Sequence, residues 1–292
     1  MHGPVKHPGR PVNIHGDRCL CGSGRLMRDC CLFVRCNTTP PGPGTGHAHP
    51  SCFARDLKDC SSTVTREHYI SQSILGLFGP GGFTVSGMPW IPNGDKKRVS
   101  SASLTGKMLC ERHNQALSPL DAVAAEFFHF FTAEWAGDGV DVFLTRGYDL
   151  ERWLLKMMCG LVVSGNATLD GKRLSTWTPP PEWLEILFGS ADVVTPAGLH
   201  YITANYQAAA ASLLVVPLFK PATAHPIALV FAVEGIAFLF AMEEPQKKRD
   251  ASVTRARTHY RPMALQLRRG PRVREAHFGW RDGELVTVNV RG

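Results

Sequence analysis

The sequence predicts an α+β protein, with metal-binding loops at the front, a helical connector behind them and a mainly antiparallel β region at the back. Three observations lead there. Eight of the nine cysteines fall before residue 111, so the metal-ligand types crowd the front of the chain. Apolar residues then recur at helical spacing from Leu120 to Leu161, and from Leu199 onward their period changes to two. Hydrophobic residues make up 44% of the 292 positions and aromatics 9%, enough to bury a core and too many for a disordered chain.

Composition divides the chain into four sections. Residues 1–36 are short, basic and cysteine-rich. NTTPPGPGTGHAHPS, residues 37–51, reads as a Pro/Gly linker with no capacity for a core. Residues 52–136 carry the second group of metal-ligand types and the first helix. Residues 137–292 form the rest of the connector and the β domain, whose role the residues do not reveal.

Each later element has a local reason. Ser118-Pro119-Leu120-Asp121 predicts a helix start, with serine as N-cap, proline at the first helical position and an acid in the first turn. Leu120, Ala124, Phe127, Phe128, Phe131 and Trp135 follow at helical spacing, and Gly137 ends the run. A second helix is expected from Asp149, with Leu150, Trp153, Leu154, Met157, Met158 and Leu161 on one face. A short third one follows Pro179-Pro180-Pro181. Strands are expected at 199–206, 212–219, in the two halves of 226–242, and at 261–268. A closing hairpin is expected over 275–290, turned by Asp282-Gly283. Cys159, Trp153, Trp177, Trp183 and Trp280 read as packing residues.

Charge and hydropathy limit the partners. The formal net charge is +7. Between Lys247 and Arg274 there are ten Lys/Arg and one acid, Asp250. Such a stripe suits a polyanion, because each phosphate contact releases condensed counterions, so nucleic acid is the leading partner on charge. Arg255, Arg257, Arg268 and Arg269 head the candidate backbone contacts, within a cluster that also holds Arg261, Arg272 and Arg274. The longest apolar run, Pro226–Met242, is 17 residues and is broken by Glu234-Gly235. A membrane helix needs about 20. With no targeting segment expected at either end, the chain reads as soluble. An odd, clustered set of cysteines argues for metal binding in a reducing compartment rather than disulfides, hence a cytoplasmic location.

CLCGSGRLMRDCC, residues 19–31, offers Cys-x-Cys, eight residues, then Cys-Cys. Four thiolates can surround one tetrahedral zinc, and Gly22-Ser23-Gly24 supplies the tight return between the pairs. Arg25 and Arg28 would offset the charge of such a site. The stretch resembles the SEC-C motif. That resemblance implies that Cys19, Cys21, Cys30 and Cys31 hold a structural Zn²⁺ and that the knuckle docks onto a protein partner. Cys36 is unassigned.

A second set is spread more widely. Cys52 and Cys60 make one knuckle, and Cys110 and His113 make another with compact Cys-x-x-His spacing. Together they form a three-cysteine, one-histidine set suited to a structural Zn²⁺, spanning the 49 residues between Cys60 and Cys110. The seven residues between Cys52 and Cys60 are a loose spacing, which leaves His47 and His49 as alternative ligands. Two features exceed what a structural ion needs: Glu67-His68 in REHYIS, and Asn114 directly after His113.

Glu-His after one knuckle, then Cys-x-x-His-Asn, resembles the HNH endonuclease family over about residues 52–121. The resemblance implies a ββα-metal fold on a treble-clef zinc frame. It implies His68 as general base for the attacking water, with Glu67 and Asn114 as ligands of a catalytic Mg²⁺ or Mn²⁺. A carboxylate and an amide oxygen suit a hard cation, and a histidine neutral near pH 7 suits the base. Arg66 is placed to hold the scissile phosphate. The asparagine that orients the base in the family has no counterpart just before Cys110. Asn93 is the one asparagine between His68 and Cys110, so that role would go to Ser101, Ser103 or Thr105. The sequence therefore predicts a metal-dependent DNA endonuclease. The alternative is a zinc-stabilised nucleic-acid- or protein-binding adaptor that has lost catalysis.

Overall fold

The computed structural model describes residues 5–7, 16–19, 23–30, 32–79, 82–86, 88, 90–92, 95–135, 138–169, 172–174, 177–203, 213–220, 222–243 and 258–290. In chain order its strands are β1 (Val5–His7), β2 (Val64–His68), β3 (Phe83–Ser86), β4 (Lys96–Val99), β5 (Thr105–Cys110), β6 (Gly139–Thr145), β7 (Thr168–Leu169) and β8 (Lys172–Arg173). They continue as β9 (Gly198–Ile202), β10 (Leu213–Phe219), β11 (Pro226–Val233), β12 (Ile236–Ala241), β13 (Thr258–Tyr260), β14 (Pro262–Arg269), β15 (Arg272–Phe278) and β16 (Glu284–Val290). The helices are α1 (Gln72–Gly76), α2 (Glu111–Thr132), α3 (Gly147–Val163) and α4 (Pro181–Phe188). The protein is thus α+β with mainly antiparallel sheets, and no helix among the described residues is long and apolar enough to cross a membrane.

The paired helices α2 and α3 form the middle layer. One five-stranded sheet, β10-β11-β12-β9-β13, is antiparallel throughout and receives α3 on β11 and β12. The other, β1-β6-β15-β14-β16, is mixed, with β6–β15 and β14–β16 parallel, and it receives α2 on β6 and β15. Phe127 of α2 ties the two together: its ring centroid lies 5.9 Å from that of Phe238 on β12, and 5.6 Å from that of Phe278 on β15. Trp153 and Cys159 are fully buried in the same core, as their apolar helical spacing predicts. Trp177, Trp183 and Trp280 also pack there.

Helix α2 begins at Glu111, seven residues before the expected start at Ser118. Pro119 therefore lies inside the helix and gives Gln115 O no backbone donor. The Ser118 hydroxyl takes over, donating to Gln115 O at 2.8 Å, so Ser118-Pro119 is a self-repaired break rather than a start signal. Asp121 is likewise no first-turn acid. It accepts hydrogen bonds from Ser71 and Lys156. The helix ends at Thr132, and Gly137 lies outside the described residues.

The expected closing hairpin is also absent. β15 pairs with β14 on one side and β6 on the other, while β16 crosses over to lie parallel to β14. Asp282 is held away from a hairpin turn: its carboxylate accepts Tyr148 Oη at 2.5 Å and Arg261 Nη1 at 2.6 Å. The hairpin that does form is β14–β15, turned at Gly270, whose φ of +58° suits glycine.

Every residue of α3 from Gly147 to Val162 is buried, including four charged ones, Asp149, Glu151, Arg152 and Lys156. Glu151 meets Arg261, itself fully buried, through Nε at 2.8 Å and Nη2 at 2.9 Å. Arg152 donates to Ile186 O, Leu187 O, Cys36 O and Thr38 Oγ1. The segment read as a linker is thereby tied to α3 at Thr38, and at Pro41 to Pro43 it is tied to Arg112.

Two stability predictions follow from these contacts. Glu151→Ala leaves the buried Arg261 guanidinium without its carboxylate, and urea unfolding should show a loss of about 3–5 kcal/mol. In β9, burial holds the His200 imidazole down to about 4 against an ordinary 6.5. Between those values the unfolded chain binds a proton that the folded His200 refuses. Stability through His200 is therefore whole above pH 6.5 and falls as the pH drops toward 4. His200→Phe should flatten that part of a stability-versus-pH curve.

Candidate metal centre

Cys52, Cys60, Cys110 and His113 form one buried group, their ligand atoms all within 4.8 Å of one another. His113 Nδ1 stands 3.6 Å from Cys52 Sγ, 3.8 Å from Cys60 Sγ and 3.1 Å from Cys110 Sγ. Around a tetrahedral zinc, with bonds of about 2.3 Å to sulfur and 2.0 Å to nitrogen, sulfur–nitrogen edges of about 3.5 Å are expected. The donor set thus fits a metal ion such as zinc, and it places His47 and His49 outside the group. Among the described residues this is the only such group of three or more His, Cys, Asp or Glu.

The local chain explains why four distant side chains converge. The seven-residue insert between Cys52 and Cys60 folds into a single 3-10 turn, Arg55–Leu57, ended by Lys58 at φ +53°. That compaction reconciles a loose spacing with a tight centre. Cys60 N–H donates to His47 O and Cys52 N–H to His49 O, while His49 Nδ1 accepts the Ser51 N–H at 3.1 Å, so the histidines support the knuckle without joining the ligand group. β2 and β5 pair antiparallel, and Cys110 stands at the N-cap of α2, which puts His113 on the first helical turn. Arg112 closes the outside with a 2.9 Å ion pair to Asp59.

Electrostatics favour ligation at Cys110 and His113, whereas burial retains the Cys52 and Cys60 protons that a metal would have to displace. Burial pushes the Cys52 thiol up, aided by the neighbouring Cys110 and Cys60. At Cys110 burial is outweighed by backbone N–H groups of His113 and Ser61, which hold its thiol below the ordinary value. Burial lowers the His113 imidazole to about 4, leaving it neutral with a free electron pair. Phe188 of α4 packs edge-on against that ring, centroids 4.8 Å apart.

The SEC-C-like stretch lies partly outside the described residues, Cys21 and Cys31 among them. Cys19 and Cys30 are buried together with Met27 and Leu32. Cys19 N–H donates to Arg25 O at 2.7 Å, and Gly24 turns at φ +74°.

The Glu67, His68 and Asn114 side chains flank the hairpin–helix junction with separate contacts. Glu67 Oε1 accepts Lys156 Nζ at 3.2 Å. Asn114 Nδ2 reaches Thr65 Oγ1 at 3.4 Å, which keeps its amide oxygen available as an acceptor. His68 Nε2 is buried with no hydrogen-bond partner among the described residues. Thr105 is the strand partner of His68, but its hydroxyl donates to Ala102 O, and Ser103 Oγ lies 3.4 Å from Ser100 Oγ. Asn93 lies outside the described residues.

The arginine cluster separates into two kinds. Arg261, Arg272 and Arg274 are buried: Arg272 pairs with Asp141 at 2.5 Å, and Arg274 donates to Ala133 O and Glu134 O beyond α2. Arg66, Arg268 and Arg269 are exposed, with Arg269 over the Trp135 ring at 5.0 Å. Arg255 and Arg257 lie outside the described residues. The sequence reading passed over an exposed basic ribbon, Lys96-Lys97-Arg98 on β4, and over Lys107, which faces Arg66 across the β2–β5 hairpin. The run of three consecutive basic residues carried the signal for the first. Compared with family models, curated proteins and solved structures, the chain matches none.

The centre should be testable by metal content. Cys110→Ser should lose one equivalent of bound metal by elemental analysis. Because metal binding here joins segments 49 residues apart, chelation should also lower the melting temperature, as for other folding-coupled sites.

Proposed function

We propose that the chain is a metal-dependent endonuclease of the HNH type, acting on DNA, and that the Cys52-Cys60-Cys110-His113 group holds a structural Zn²⁺. What supports the reading is one arrangement: an antiparallel strand pair, β2–β5, leads through β5 straight into α2, with the cysteine–histidine group at the joint. Glu67 and His68 end β2, and Asn114 follows His113 on the first turn of α2. In the treble-clef reading of this module, His68 takes the proton of the attacking water. A buried imidazole nitrogen with no hydrogen-bond partner among the described residues supports that role, because its acceptor is uncommitted there. Glu67 and the Asn114 amide oxygen would hold Mg²⁺ or Mn²⁺, hard oxygen donors for a hard ion. When bound, that ion stabilises charge building on the phosphate and its leaving oxygen.

The exposed bases favour a polyanionic substrate. Arg66 and Lys107 are like charges directly opposed on two strands, which destabilises the hairpin unless an anion lies between or above them. The β4 triplet adds three more, and Arg268 and Arg269 are further contact candidates. In the same reading Cys19, Cys21, Cys30 and Cys31 hold a second Zn²⁺ in a knuckle that docks a protein partner.

A zinc-held nucleic-acid or protein adaptor is the second reading. One contact favours it: Glu67 already bonds the buried Lys156. Plasmid nicking with Mg²⁺ or Mn²⁺ separates the two. Wild type should nick, and His68→Ala should be slower by about 100-fold or more with unchanged zinc content. Inactivity of wild type with its zinc in place would decide for the adaptor.

A further inference from the structure

Lys156 of α3 reaches across to the two other elements of the proposed catalytic module. Its Nζ lies 3.2 Å from Glu67 Oε1 on β2 and 2.6 Å from Asp121 Oδ2 on α2. The lysine is 4% exposed, so its ammonium has little water to fall back on and stays where the carboxylates are. The second Asp121 oxygen accepts Ser71 Oγ at 2.5 Å, and Ser71 Oγ accepts Trp153 Nε1 at 2.8 Å. Ser71 and Trp153 are both buried. The result is a fixed chain from Trp153 through Ser71 and Asp121 to Lys156 and Glu67.

This chain engages one oxygen of Glu67 only. Among the described residues no hydrogen bond reaches Oε2. The charges do not balance either, since one ammonium between two carboxylates leaves one negative charge over. A carboxylate anchored through one oxygen and bare at the other, with negative charge in excess, is prepared for a cation at the bare oxygen. Outer hydrogen bonds of this kind orient metal-ligating carboxylates generally.

We infer that Lys156 is a positioning residue: it holds Glu67 Oε1 so that Oε2 is presented to the divalent ion, and Asp121, Ser71 and Trp153 hold Lys156. The inference rests on the endonuclease reading of Glu67. It assigns the β-side helix α3, outside the hairpin–helix module, a part in ion binding.

Mn²⁺ binding to the full-length, zinc-loaded protein tests it directly, by electron paramagnetic resonance titration beside the nicking assay. Wild type should bind one Mn²⁺ that Glu67→Gln abolishes. Lys156→Met should weaken Mn²⁺ about 10- to 100-fold with zinc content unchanged, and Lys156→Arg should recover part of the loss. Asp121→Asn keeps the lysine and should weaken Mn²⁺ by less; it decides the matter if Lys156→Met fails to fold. Equal Mn²⁺ affinity in wild type and the Lys156 or Asp121 variants would make the chain purely structural, overturning the inference while the nuclease reading stands. No Mn²⁺ bound and no nicking by wild type, with Mn²⁺ binding gained in Lys156→Met, would show that the ammonium replaces the ion. Both readings would then fall. Mn²⁺ bound as expected without nicking would sustain the inference and remove the nuclease reading alone.

Discussion

A helix that is buried on every side cannot carry charge unless each charge finds a partner, and α3 carries four. Leaving such a group unpaired costs several kcal/mol, so each one fixes the position of a distant segment. Asp149 receives the Cys36 N–H and Arg152, and Arg152 reaches Thr38 and the last carbonyls of α4. Glu151 captures Arg261 and the Leu199 N–H, bringing together the start of β9 and the junction of β13 with β14. Lys156 fixes β2 and α2. Four side chains on one helix therefore organise the Pro/Gly segment, both sheets and the metal-bearing hairpin.

The junction at Arg261 shows how exacting that arrangement is. The residue adopts φ +41°, where the chain leaves one sheet at Tyr260 and enters the other at Pro262. Its guanidinium is enclosed by the rings of Tyr148, Tyr260 and Trp280, at 4.8, 5.2 and 5.3 Å. Gly198 has no side chain because a Cβ there would fall 2.8 Å from both Arg261 Nε and Glu151 Oε1. A left-handed arginine and a bare glycine, itself at φ +144°, thus meet at the ion pair.

What could be read from the chain is what depends on near neighbours. Cys-x-x-His is a local spacing, so Cys110 and His113 were legible, and the apolar period of α3 and of β11–β12 survives into the structure. Signals that resemble punctuation misled where a distant partner used the same residue. Ser118-Pro119 looks like a helix start until Gln115 O is seen to need a donor. Asp282-Gly283 looks like a hairpin turn until Arg261 claims the carboxylate. Lys156 was illegible for a further reason: on a helix with one apolar stripe, a lysine off that stripe reads as solvent-facing, and here β2 and α2 make it internal.

Charge counts misplace the basic face for the same reason. The carboxyl-terminal stripe is rich in arginine, yet Arg261, Arg272 and Arg274 serve the interior, fastening Glu151, Asp141 and the end of α2. Their charge is largely balanced or hidden, so it adds little to the field outside. Between Val64 and Met108, by contrast, Arg66, Lys96, Lys97, Arg98 and Lys107 face two acids, Glu67 and Asp95, and Glu67 is already paired with Lys156. Among the described residues, the exposed basic positions therefore include those of β2, β4 and β5, with Arg268 and Arg269 on β14, and not the buried Arg261, Arg272 and Arg274. Exposed charge steers association and buried charge does not, so a count of arginines along the chain overstates what the carboxyl-terminal strands add to the outer field.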